Sequence, residues 1–95
     1  MEIKKIVLID DEPDILKTVK LFLESEDYQV VTAEDGIEGF EKIKKELPDL
    51  VIVDIMLPRM DGYKVCRMLK FNEKFKRIPV IMLTAKAQQK DKEKG

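Results

Sequence analysis

Apolar residues cluster in short runs that alternate with longer amphipathic stretches. Ile6-Val7-Leu8-Ile9, Leu50-Val51-Ile52-Val53 and Val80-Ile81-Met82-Leu83 are unbroken apolar runs. Runs of this kind suit parallel strands covered on both faces better than half-exposed antiparallel ones. Tyr28-Gln29-Val30-Val31-Thr32 is shorter and more mixed, as an edge strand would be. Between the runs the period changes to that of a helix. Pro13, with Asp14 in the first turn, predicts a helix start, and Ile15, Val19 and Phe22, with Leu16 and Leu23 beside them, carry its apolar face to about Ser25. Asp35-Gly36 introduce a second helix with Ile37, Phe40 and Ile43 on one side, running toward Leu47 and stopped by Pro48. Asp61-Gly62 cap a third, with Tyr63, Cys66 and Leu69 as its apolar positions. Strands alternating with helices at this spacing predict an α/β fold with a parallel sheet built from right-handed crossovers.

Two of the strands end in acid. The first runs into Asp10-Asp11-Glu12 and the third into Asp54, after which Pro58 ends the ladder. One aspartate after a strand is usually a loop cap, but two acidic strand ends change the reading. A doubly wound sheet holds its ligand outside the carboxyl ends of its strands, where the strand order reverses. In the order 2-1-3-4 that crevice lies between the first and third strands, so Asp10, Asp11 and Asp54 converge there. Three carboxylates in one crevice repel one another unless a cation sits between them. With no His and a single Cys in the chain, a hard oxygen donor set points to Mg2+, with Mn2+ or Ca2+ as substitutes. Such an ion can also bridge phosphoryl oxygens, and Thr84 at the neighbouring strand tip can offer them a hydroxyl.

Composition narrows the class. Ninety-five residues, 44% hydrophobic, with no repeat or polar linker, predict one domain over residues 1–95. Eighteen basic against nineteen acidic residues leave a net charge of -1, which gives no basis for direct nucleic acid or anionic membrane binding by the whole chain. Cys66 is alone and no disulfide can form within the chain. Its place on the third helix reads as small core packing rather than thiol chemistry. The sequence shows neither a signal peptide nor a membrane span, so the expected location is the cytoplasm.

Val7-Leu8-Ile9-Asp10-Asp11-Glu12, then Val53-Asp54-Ile55-Met56-Leu57-Pro58 with Met60-Asp61-Gly62, and Pro79-Val80-Ile81-Met82-Leu83-Thr84-Ala85-Lys86 occur in an order and at a spacing that resemble the receiver domains of two-component response regulators. The resemblance implies a flavodoxin-like, doubly wound parallel sheet. It implies that Asp54 is the phosphoacceptor, that Asp11 and Asp54 bind Mg2+ directly with the Met56 carbonyl as a third ligand, and that Asp10 holds the ion mostly through water. Thr84 would contact the phosphoryl group. The implied partner is a sensor histidine kinase or phosphotransfer protein whose phosphohistidine Asp54 attacks, so the chain is a phosphoacceptor with slow self-catalysed turnover rather than a conventional enzyme.

The sequence also departs from that family. Its receivers continue with a fifth strand, which delivers a lysine, and a fifth helix; this sequence stops at Lys94-Gly95. The expectation is a receiver incomplete at its C-terminus, with the fourth strand an apolar edge that favours a homo-oligomer or a complementing fragment. An alternative function follows, a non-switching assembly module that self-associates through that edge. Lys86 and Arg59 read as solvated side chains. A flavodoxin-like cofactor carrier would need a phosphate-cradling loop where Asp10-Asp11-Glu12 stands, and a haloacid-type phosphatase would need an aspartate where Met56 stands.

Overall fold

The computed structural model describes residues 3–55, Leu57 and residues 62–83. Met56, Arg59, Asp61, Thr84 and Lys86, singled out above, lie outside the described residues. The elements run β1 (Lys5–Ile9), α1 (Pro13–Ser25), β2 (Gln29–Ala33), α2 (Gly36–Glu46), β3 (Leu50–Asp54), α3 (Gly62–Lys70) and β4 (Val80–Leu83). All strand pairs are parallel and the order is β2-β1-β3-β4, as the alternation predicted.

Side-chain alternation along the strands divides the core into two layers. Val7, Ile9, Val51 and Val53 face α2 and α3, where they pack with Ile43, Val65, Leu69 and Phe75. Leu8 faces the other way, against Leu16 of α1 and Val30. β1 is therefore the strand buried on both sides, with Ile6 through Ile9 all shielded from solvent. β3 is less symmetrical. Ile52 lies level with Leu8 on one side and Ile81 on the other, but α1 packs over β1 and β2, so Ile52 is half-buried and Ile81 exposed.

The helices seat themselves on faces that differ from those expected. α1 buries Leu16, with Val19 and Leu23 packed beside it, while Phe22 is 63% exposed. In α2, Ile43 is buried and Ile37 is exposed, because the buried residues of its first turns are Gly36 and Gly39. Gly39 lies so close to the side chain of Ile9 that a Cβ there would overlap it. In α3 the buried positions are Gly62, Val65 and Leu69, not Tyr63, Cys66 and Leu69; Tyr63 is exposed and Cys66 half-buried. At about 100° per residue the observed trio spans about 60° of the helix, a narrower face than the roughly 120° of the expected one.

Local bonds fix the element ends. Asp35 Oδ1 caps α2 by accepting from the Glu38 N–H at 2.8 Å, and Glu38 Oε1 reaches back to accept from the Glu34 N–H at 2.9 Å. α2 closes on Leu47 in the left-handed conformation, φ 48°. Asp49 then ties the start of β3 to β1, its Oδ2 accepting from the N–H groups of Lys4 at 3.0 Å and Lys5 at 2.9 Å. Those two backbone N–H bonds, aided by the lysine charges, hold the Asp49 carboxyl below the usual carboxylate range. None of the helices among the described residues is long and apolar enough to cross a membrane.

Candidate functional site

The register of β1 and β3 brings the acidic strand ends together. Ile9 pairs with Val53, so the next residue of each strand, Asp10 and Asp54, emerges at the same end of the sheet. Both are deeply buried, at 2% and 4% exposure, and Asp11 is half-buried beside them. One carboxylate oxygen from each of Asp10, Asp11 and Asp54 lies within 4.8 Å of the other two. Residues more than forty positions apart in sequence thus form one acidic crevice, as the strand order required.

Backbone hydrogen bonds fix the chain where it delivers Asp10 and Asp54. The Asp10 N–H donates to the Ala33 carbonyl at 3.1 Å, carrying the β1–β2 ladder one residue past the end of the strand. Oδ1 of Asp10 accepts from the Glu12 N–H at 2.9 Å, turning the chain toward Pro13 and the start of α1. On the other side, the Ile55 N–H donates to the Leu83 carbonyl at 3.2 Å and fixes the tip of β3 against β4. The Ile55 carbonyl accepts from the Gly62 N–H at 2.9 Å, which seats the first turn of α3 against that tip. α1 therefore opens immediately after the acidic loop and α3 against the Asp54–Ile55 backbone, with the positive ends of both helix dipoles toward the acids.

Gly62 is a site residue that the sequence reading took only for a helix cap. A Cβ at this position would come within 2.6 Å of the Asp54 carbonyl oxygen and 2.8 Å of the Ile55 Cα. The available signal was the Gly following Asp61, but it predicts a turn without naming what the turn leans on. The crevice contains Asp10, Asp11 and Asp54 as expected; Met56 and Thr84, the remaining members of the expected set, lie outside the described residues.

The donor set fits a hard divalent cation. It consists of carboxylate oxygens, two of them from buried side chains, with no imidazole in the chain and its one thiol placed on α3. Oxygen-only ligation of this kind suits Mg2+ or Ca2+ better than zinc or copper, and concentrated negative charge in a shielded crevice favours cation entry.

A family model described as the response regulator receiver domain matches residues 6–95. The chain is 42% identical over 92 residues to the alkaline phosphatase synthesis transcriptional regulatory protein PhoP of Bacillus subtilis, an alignment that covers 97% of this chain and 38% of that protein. It thus spans well under half the length of that relative. Among solved structures, the N-terminal domain of a response regulator receiver protein from Methanoculleus marisnigri superposes with a TM-score of 0.84 at 37% identity, covering 88% of this chain and 68% of the other. The receiver domain of a Pseudomonas aeruginosa sensor histidine kinase, with a magnesium ion coordinated in its active site cleft, superposes with a TM-score of 0.83 at 33% identity, covering 97% of this chain and 75% of the other.

Proposed function

We propose, from the premise that this chain belongs to the response regulator receiver domain family, that Asp54 accepts a phosphoryl group from the phosphohistidine of a sensor kinase or phosphotransfer protein. The observation that carries the reading is the crevice itself, three carboxylates within 4.8 Å at the carboxyl end of a parallel sheet. Asp11 and Asp54 would hold Mg2+ directly, Asp10 through water, and the Met56 carbonyl would complete the protein ligands. When bound, the ion neutralises the acids and the charge that develops on the transferring phosphoryl oxygens.

The chain's own residues do the rest. A carboxylate oxygen of Asp54 attacks phosphorus as the phosphorus–nitrogen bond of the phosphohistidine breaks, and the imidazole leaves with the electron pair and takes up a proton. The product is an acyl phosphate on Asp54. Burial of Asp54 at the strand tip, braced by the Ile55 bonds to Leu83 and Gly62, restricts the nucleophile to one approach and limits water. Thr84 would contact the phosphoryl oxygens. The donor resides in the cytoplasm, and so does this chain. Exposed Ile81 on β4 supports a second element of the reading, self-association along that strand, which a strictly monomeric mass by light scattering at high concentration excludes.

Mass spectrometry after incubation with acetyl phosphate and Mg2+ tests the central reading. The expected result is a single added phosphoryl group that disappears in Asp54→Asn while the circular dichroism spectrum is retained. Incorporation that persists in the variant removes Asp54 from the role.

A further inference from the structure

Away from the acidic crevice, the outer side of α2 and α3 carries a groove of different chemistry. Lys64, Arg67, Met68 and Phe71 stand at i, i+3, i+4 and i+7 and therefore share one stripe of α3 and the turn after it. This is not the stripe that seats the helix, which is Gly62, Val65 and Leu69. With Phe40 of α2 and Asn72 it lines an open groove of about 400 Å³. The Phe40 ring is set edge-on against Phe75, centroids 6.0 Å apart at 88°, and Lys44 Nζ lies 5.3 Å from its centroid. The floor is thus an aromatic surface packed against the core.

Two features of the groove are unexplained by folding. Phe71 is 83% exposed, more than any other large apolar side chain among the described residues. Arg67 makes no ion pair among the described residues, whereas Glu41 pairs with Lys44 at 3.2 Å and Glu73 with Lys76 at 2.9 Å. In a chain of net charge -1, the apolar recess is edged by the cation of Arg67.

We infer that this groove docks an acidic amphipathic helix of a partner protein, with a bulky apolar side chain between Phe40, Met68 and Phe71 and a carboxylate against Arg67. The mode is that of a helix laid between two helices, where apolar anchors provide affinity and rim charges choose the partner. The rim is positive, so the complementary partner is negative. An open recess of about 400 Å³ beside two helices suits the inserted side chains of a helix better than the flat surface of a lipid headgroup layer. None of this depends on the chemistry at Asp54.

The test uses a fluorescein-labelled peptide of about four helical turns, glutamate-rich with leucines at i, i+3, i+4 and i+7, titrated with the protein and read by anisotropy. Controls replace its leucines by serine or its glutamates by lysine. Saturable binding of the parent peptide alone is expected, weaker at high salt, and reduced about tenfold or more by Phe71→Ala and by Arg67→Glu. Both substitutions fall on exposed side chains and should leave the melting curve unchanged. Equal binding of either control, or indifference to both substitutions, overturns the inference. So does finding that the same two substitutions abolish self-association of the free protein in light scattering or binding to phosphatidylserine vesicles, since the groove would then serve another occupant.

Discussion

Gly62 lies flat against the backbone of Asp54, so close that a single added methyl group would sit 2.6 Å from the Asp54 carbonyl oxygen. The start of α3 and the tip of β3 therefore behave as one unit. Gly62→Ala must push α3 off the strand, because the obstructing atoms are backbone and cannot rotate away. The expected loss is about 1–3 kcal/mol of stability, read as a lower urea midpoint. The displaced carboxylate should also slow phosphorylation by acetyl phosphate, by up to about a hundredfold.

Cation binding at the crevice should appear as stability. Mg2+ at about a hundred times its Kd is expected to add about 2.7 kcal/mol to the native state by mass action. In Asp11→Asn the protein should fold and the gain should largely vanish. Thermal melts with and without Mg2+ check this; an equal gain in the variant would exclude Asp11 as a ligand.

The Asp49 clamp predicts an acid dependence remote from the site. Its folded pKa lies below the ordinary 3.8, through the Lys5 and Lys4 backbone bonds first. Its contribution is thus complete above about pH 3.8 and is lost as the pH falls through the lowered folded value, where the native carboxylate is finally protonated. Asp49→Asn should be less stable than the parent at pH 7 and approach it in strong acid. Urea midpoints across pH 2–7 give the comparison.

Leu47 closes α2 with φ 48° and an exposed side chain, a position where a Cβ is penalised and glycine is the usual occupant. Leu47→Gly is expected to stabilise by about 0.5–1 kcal/mol, and in a domain of this size the melting temperature should rise by a few degrees. A fall would show that Leu47 contributes packing that outweighs its backbone strain.

The sheet and its acidic end were legible because both are written in short-range signals. Three unbroken apolar runs fixed the strands, and parallel topology then forced Asp10, Asp11 and Asp54 to one end. Helix faces were harder to read. Phe22 and Tyr63 looked like core because they are large, yet the seams are made by Leu16 and by the smaller Gly62 and Val65. Hydrophobicity marks what can be buried, but the rotation of a helix is set by where backbone can approach backbone, and Gly39 and Gly62 mark those places. The Asp49 clamp was hidden for another reason: a carboxylate accepting from backbone N–H groups leaves no pattern in side-chain type.

The parallel register has one further outcome. Because β1 lies between β2 and β3, its acidic end meets Asp54 only after the chain has closed two successive crossovers. A nascent or partly unravelled copy holds the same aspartates but not the crevice. Assembly of the acidic crevice is in this way made conditional on a paired sheet.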